Sequence, residues 1–176
     1  PIVRIIDYKK TQQHAYDSPN TGMEKLNMVM FGDSITHGSL SVSDNGTSYV
    51  DYANDYLHSN NINVGFGGTR LTYSTLSGNY LFQFRNLVDC IISDDASAWD
   101  ALDAYASGTY FEPHLNALKT VDWNKMHAIG LMYGANDFTS NTPVGTAYNE
   151  DVANFDGACA SALKKLLTKY PHLQVI

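Results

Sequence analysis

Apolar and polar positions fall along this chain in blocks that read alternately as strands and helices. Met28-Val29-Met30-Phe31 is an apolar run that stops at Gly32 and a polar turn, the pattern of a buried strand meeting a turn. Ile62-Asn63-Val64 runs into Gly65, and Ala128-Ile129-Gly130-Leu131-Met132-Tyr133 runs into Gly134. Between these runs the period becomes helical. A helix is predicted from about Ser48 to His58, with Tyr49, Val50, Ala53, Tyr56 and Leu57 on one face. Residues 80–93 hold Leu81, Phe84, Val88 and Ile91 at helical spacing. A further helix falls at about 98–106, and another starts near Glu112 with Pro113 in its first turn. The clearest helix runs near Asp151 to Lys169, with Val152, Phe155, Cys159, Leu163, Leu166 and Tyr170 in one stripe. Pro171 ends it, and Leu173-Gln174-Val175-Ile176 begins a fourth strand.

In an open α/β sheet, ligands gather outside the carboxyl ends of the strands. The residues just past each apolar run therefore carry the chemical interest. They are Gly32-Asp33-Ser34-Ile35-Thr36, Gly65-Phe66-Gly67-Gly68-Thr69 and Gly134-Ala135-Asn136-Asp137. A serine at a strand end, backed by the N–H groups of a following helical turn, suits a nucleophile. Ordinary N-capping is the alternative reading of a serine before a helix. If the three strands are parallel neighbours, Ser34, Gly68 and Asn136 meet at one sheet edge. The N–H groups of Ser34 and Gly68 and the Asn136 amide would then form a donor set for a tetrahedral oxyanion.

With these three blocks in this order, the chain resembles the SGNH (GDSL-type) hydrolase superfamily of esterases and acylhydrolases over about residues 26–176. Gly32-Asp33-Ser34-Ile35-Thr36 is similar to its first block, Gly68 to its second-block glycine, and Gly134-Ala135-Asn136-Asp137 to its third block. The resemblance implies Ser34 as nucleophile and Ser34, Gly68 and Asn136 as oxyanion-hole residues. Leu87-Val88-Asp89-Cys90-Ile91-Ile92-Ser93-Asp94-Asp95, followed by Trp99-Asp100, is also similar to a subgroup from Gram-positive bacteria and their phages. The family's last block, Asp-x-x-His, reads as absent from the chain. The catalytic base and acid are therefore expected from a further C-terminal segment or a docked chain, and residues 1–176 alone are expected to be inactive.

The fold expected from this reading is α/β: a three-layer α/β/α domain on a flavodoxin-like parallel sheet, strand order 2-1-3-4-5. It occupies residues 26–176 and is C-terminally incomplete. Residues 1–25 read as an arm or linker, with a strand at Ile2 to Ile6 and then a polar stretch holding Pro19, Asn20 and Gly22. A Ser/Asn/Gly loop from Gly38 to Gly46 lies beside the site. The long connection at 71–125 either covers the site or only packs the sheet.

A serine hydroxyl needs a base, so each histidine is a candidate to weigh. His37 lies three residues past Ser34 and is the one near the motif; it is kept as a candidate base or substrate contact. His14, His58, His114, His127 and His172 are expected as surface or capping residues. Arg70, just past Gly68, is a candidate contact for an anionic substrate, with a surface salt link as its default. Asp33 is expected to order its turn and Asp137 to brace its loop.

Composition narrows the classes. At 176 residues and 44% hydrophobic, the chain can bury one substantial core. A net charge of −7 and a pI near 5.1 argue against nucleic-acid or anionic-membrane partners. The sequence has no apolar run long enough for a membrane span and no signal-peptide pattern. Cys90 and Cys159 fall on apolar helix faces, as buried thiols or a disulfide. No metal-ligand spacing occurs, and neither a metal nor a cofactor is implied. Asn45-Gly46-Thr47 fits a glycosylation acceptor, and the 12 tyrosines suit sugar-binding surfaces or a core. The expected function is hydrolysis of a small ester, with an acylated glycan as the substrate class the resemblance implies. The alternative is a non-catalytic carbohydrate- or receptor-binding module. A secreted, cell-surface or phage-associated setting fits either.

Overall fold

The computed structural model describes residues 25–39, 47–72, 78–146 and 150–176. The expected strand at Ile2–Ile6, nearly all of the arm with His14, and the Asn45 acceptor lie outside the described residues. Among the described residues four strands form one sheet: β1 (Asn27–Gly32), β2 (Asn60–Gly65), β3 (Ala128–Met132) and β4 (Gln174–Val175). All pairings are parallel, in the order β2-β1-β3-β4. This is the expected order through its first four members. Gly32 is in register with Gly65 on one side and Met132 on the other, so three strands end level.

The helices are α1 (Ser34–His37), α2 (Tyr49–Leu57), α3 (Phe84–Ile92), α4 (Asp100–Ala106), α5 (Glu112–Lys119), α6 (Ala135–Thr139) and α7 (Phe155–Lys169). Right-handed crossovers place α2, between β1 and β2, on the opposite face from α7, between β3 and β4. On the α7 face, Val29, Phe31, Val64 and Ile129 join Phe84, Leu87, Val88, Ala162 and Leu166 in one buried cluster. Phe31 meets Phe84 edge to face at 5.0 Å. Each such fully buried side chain contributes about 1.5–3 kcal/mol, which makes the sheet a firm platform.

The α2 face is built differently. Asn54 Nδ2 donates to the Asn61 carbonyl at 2.9 Å, and Asn63 Nδ2 donates to Ser48 Oγ at 2.9 Å. The helix therefore docks through polar contacts, and only Val50 among its residues is buried. Tyr56, expected on the inner face, is 65% exposed beside Tyr52 at 64%. Two further boundaries differ from expectation. The helix expected over 80–93 divides into a 3-10 turn at Gly78–Phe82 and α3, parted at Gln83, which has extended backbone. The last helix starts at Phe155, because the Asn154 side chain accepts from Gly157 N at 2.8 Å and caps it there. Val152 is thereby left in the preceding turn.

Both cysteines are free thiols. Cys90 donates to the Ala98 carbonyl at 3.1 Å. Burial, with Asp89 adding, pushes its pKa up to about 11, so it stays protonated and unreactive near neutral pH.

Candidate functional site

The site begins where β1 stops. Asp33 is buried and its Oδ1 accepts from Ile35 N at 2.9 Å, which makes Asp33 the N-cap of α1. The capping reading of Ser34 is therefore corrected: Ser34 is the first residue inside the helix, half-buried, and has no cap to make. No hydrogen bond joins its hydroxyl to another described residue. Burial raises the Asp33 pKa and the Asp137 charge adds to this, against the stabilising Ile35 N–H.

This turn sits hard against its neighbours because two strands end in glycine. A Cβ on Gly65 would overlap the His37 backbone nitrogen, and one on Gly32 would overlap the Thr36 side chain. Asn63 Nδ2 donates to the Thr36 carbonyl at 2.8 Å, while its Oδ1 accepts from Gly65 N at 2.9 Å. Thr36 Oγ1 and the Tyr49 hydroxyl are 3.1 Å apart. The helix carrying Ser34 is thus fixed from below by the second strand.

The second turn leaves β2 through Phe66. Thr69 donates to the Phe66 carbonyl from both its N–H (3.3 Å) and its hydroxyl (2.7 Å). Gly68 is exposed and has φ +75, a conformation that glycine takes without a steric penalty. Arg70 follows, half-buried. Leu71 N and Thr72 N donate to the Asp137 carboxylate at 3.0 and 3.1 Å, and the Thr72 hydroxyl donates to it too. Asp137 braces the loop, as its position beside Asn136 led one to expect.

The third turn closes the group. Asn136, in α6, donates from Nδ2 to the Thr69 carbonyl at 2.8 Å, and the same nitrogen lies 3.5 Å from Asp33 Oδ2. One side chain therefore touches the other two turns, so the three strand-end turns form one cluster. One Asn136 hydrogen is engaged by Thr69. The second faces the Asp33 carboxylate at a distance too long for a strong bond. Tyr133 lies beneath, its hydroxyl pushed to a higher pKa chiefly by burial and then by Asp33 and Asp137. It therefore stays neutral.

The histidines redistribute. His37 Nδ1 is 2.9 Å from Ser39 Oγ, and its ring stands 5.0 Å from Tyr110 and 4.7 Å from His114. Burial first, and His114 second, lower its pKa. His114 was expected as a surface or capping residue; it is half-buried instead and hydrogen-bonds the Asn63 carbonyl at 3.0 Å. A carbonyl only accepts, so the proton sits on His114 Nδ1. Nothing local in the sequence signals this contact, because His114 reaches β2 from 51 residues away. The connection at 71–125 therefore reaches the site, through Tyr110 and His114. His58 ends α2 with φ 50, His127 Nδ1 accepts from Asn27 N at 3.0 Å, and His172 bonds the Trp123 carbonyl at 3.1 Å.

The reading of Asp-x-x-His as absent is corrected: one such tetrad occurs before the third block, as Asp55-Tyr56-Leu57-His58. It lies at the end of α2, next to the start of β2, at the opposite end of the strand from the Ser34 turn. Asp55 and His58, with Lys25, Asn54 and Ser59, line a cavity of about 570 Å³. This position separates the tetrad from Ser34. Among the described residues, no three His, Cys, Asp or Glu side chains are grouped to hold a metal ion. No helix among them is long and apolar enough to cross a membrane.

Comparison with known proteins gives structural likeness only. No family model and no curated protein matches the chain. One solved structure aligns over 86% of this chain and 55% of its own, with TM-score 0.54 and 18% identity. A possible lipase from Chitinophaga pinensis DSM 2588 aligns over 86% of this chain and 47% of its own, with TM-score 0.52 and 17% identity. A candidate GDSL-like lipase from Bacteroides ovatus ATCC 8483 aligns over 87% and 72%, with TM-score 0.48 and 14% identity. The chain thus spans about half the length of the first two structures. Taken with the strand order, this likeness shows a flavodoxin-like parallel α/β fold shared with these structures.

Proposed function

We propose that this chain is the nucleophile-bearing part of a serine ester hydrolase, acting through an acyl-enzyme on Ser34. The observation that carries the reading is the Asn136 side chain, which bonds the Thr69 carbonyl and brings its amide within 3.5 Å of Asp33 beside Ser34. The Ser34 hydroxyl, left without a described hydrogen-bond partner, attacks the ester carbonyl and gives its proton to a base. Ser34 N–H, Gly68 N–H and the Asn136 amide hold the oxyanion. The bond to the leaving alcohol breaks, and water then releases the acid. Asn136 serves by directing its second hydrogen away from Asp33 and toward the developing charge. No cofactor takes part.

The base and acid are proposed to come from outside residues 1–176, from a further segment or a docked chain carrying Asp-x-x-His. His37 is the weaker candidate because its Nδ1 is engaged by Ser39; it is assigned, with Arg70, to substrate contact. Ile35 and Phe138, exposed beside Ser34 and Asn136 in sequence, and Tyr110 give the surroundings apolar surface for an acyl group or a sugar face. A small ester or acylated carbohydrate is the proposed substrate, in a secreted, cell-surface or phage-associated setting.

A fluorophosphonate probe tests the reading. It should label Ser34 in the natural polypeptide and fail to label Ser34→Ala. A folded protein that resists labelling supports the second reading, a non-catalytic carbohydrate- or receptor-binding module. That reading is favoured by one observation: no described histidine hydrogen-bonds the Ser34 hydroxyl. Glycan binding that survives Ser34→Ala at equal affinity would decide for it.

A further inference from the structure

A backbone donor stabilises an oxyanion only if its direction is fixed before charge develops. The Gly68 N–H shares one planar peptide unit with the Gly67 carbonyl, and in a trans peptide the two point in opposite directions. Whatever holds the Gly67 oxygen therefore aims the Gly68 hydrogen. Asn79 holds it: its Nδ2 donates to the Gly67 carbonyl at 2.6 Å. Asn79 is itself locked, because the Tyr105 hydroxyl donates to its Oδ1 at 2.8 Å. The relay runs from Tyr105 in α4, through Asn79 in the 3-10 turn ahead of α3, to the Gly67–Gly68 peptide.

The glycines permit this close approach. A Cβ on Gly68 would lie 2.9 Å from Asn79 Nδ2, and one on Gly67 would lie 3.1 Å from the Tyr110 hydroxyl. The turn is enclosed on one side by Asn79 and on the other by Tyr110. The same two glycines make the peptide easy to rotate once the clamp is removed, since glycine occupies either sign of φ. Only a side chain with a donor and an acceptor on one planar group can take the Tyr105 hydrogen and give one to Gly67, which is what an asparagine amide does.

We propose that Asn79, locked by Tyr105, is a positioning residue that aims the Gly68 N–H at the oxyanion. This rests on the reading of Ser34 and Gly68 given above. Asn79→Asp keeps the shape and the Tyr105 contact but replaces the donor with an oxygen that repels the Gly67 carbonyl. Asn86→Ala is the control, because Asn86 Nδ2 braces the same 3-10 turn through the Tyr80 carbonyl at 2.8 Å without touching Gly67.

The test measures aryl-ester hydrolysis by the natural polypeptide, with Ser34→Ala as reference, and the Gly68 amide signal by 15N–1H NMR. Asn79→Asp should lower kcat by about 10²-fold, the low end for loss of one oxyanion donor, with KM within about threefold. Tyr105→Phe should give a smaller loss of kcat in the same direction. The Gly68 signal should shift in Asn79→Asp and stay in place in Asn86→Ala. An unmoved Gly68 signal in Asn79→Asp overturns the proposal, and this readout needs no turnover. So does an equal kcat loss in Asn86→Ala, which would make the contact a brace for the turn alone. If Ser34→Ala abolishes turnover while Asn79→Asp keeps it, positioning by Asn79 fails and the nucleophile reading stands. Turnover retained in Ser34→Ala overturns the reading beneath, and the proposal with it.

Discussion

Asp137 accepts the backbone N–H of Leu71 at 3.0 Å, joining residues 66 apart in sequence through a carboxylate that is only 2% exposed. The same carboxylate takes the Thr72 N–H at 3.1 Å and the Thr72 hydroxyl. The loop that carries Gly68 and Arg70 is thus pinned to the helix that carries Asn136. Leaving a buried donor without a partner costs about 1–3 kcal/mol. Asp137→Ala abandons two backbone donors, so it should destabilise the fold by about 3 kcal/mol in urea unfolding. Asp137→Asn retains one acceptor and should cost less. Equal stability of Asp137→Ala and the parent would remove Asp137 as the brace.

Ser34→Ala should behave in the opposite manner. Asp33 supplies the α1 cap, and the Ser34 hydroxyl has no described hydrogen-bond partner, so its loss should alter stability by no more than about 0.5 kcal/mol. Turnover, where the protein shows it, should vanish. A variant within a few-fold of the parent rate would exclude a covalent route through Ser34.

Asn136→Ala should do both kinds of damage. It removes the donor to the Thr69 carbonyl, a loss of about 1 kcal/mol for an ordinary hydrogen bond. If its amide donates to the oxyanion, as proposed, the loss should also lower kcat by about 10²–10³, with KM changed less. Asn136→Asp should be worse on both counts, since a carboxylate donates to neither the Thr69 carbonyl nor an oxyanion and adds like-charge repulsion with Asp33. A defect confined to KM would make Asn136 a binding residue.

What could be read from the sequence follows from how local each cause is. The strand ends were legible because Gly32, Gly65 and Gly134 each interrupt an apolar run, and the structure places sheet edges or turns there. The reason for two of these glycines was not legible: the α1 backbone packs against Gly65 and the Thr36 side chain against Gly32, a contact between elements. Tyr56 was misplaced because helical periodicity assumes an apolar interface, whereas α2 docks through Asn54 and Asn61. The Asp33 cap and the Asp137 brace were legible, since short acidic side chains beside turns find nearby N–H groups. His114 was not, because its partner is a strand carbonyl far along the chain.

The His37–His114 pair sets the pH dependence of that long-range contact. The rings are 4.7 Å apart, and burial foremost lowers both pKa values from the ordinary 6.5. The groups facing them are Ser39 and the Tyr110 carbonyl on His37, with the Asn63 carbonyl and the Asp51 charge on His114. The carbonyls and Asp51 favour protonation but do not outweigh burial. With folded pKa values depressed, the unfolded chain takes up protons first as pH falls below about 6.5. Stability from the pair is therefore complete above that pH and is lost as pH falls through the folded values. His114→Gln keeps a donor for Asn63 and removes one titration. Thermal unfolding from pH 7.5 to 5 should show Tm falling on the acid side in the parent and falling less steeply in His114→Gln. A parent Tm that rises on acidification through 6 would reverse the sign and show that the pair gains, rather than resists, a proton in the fold.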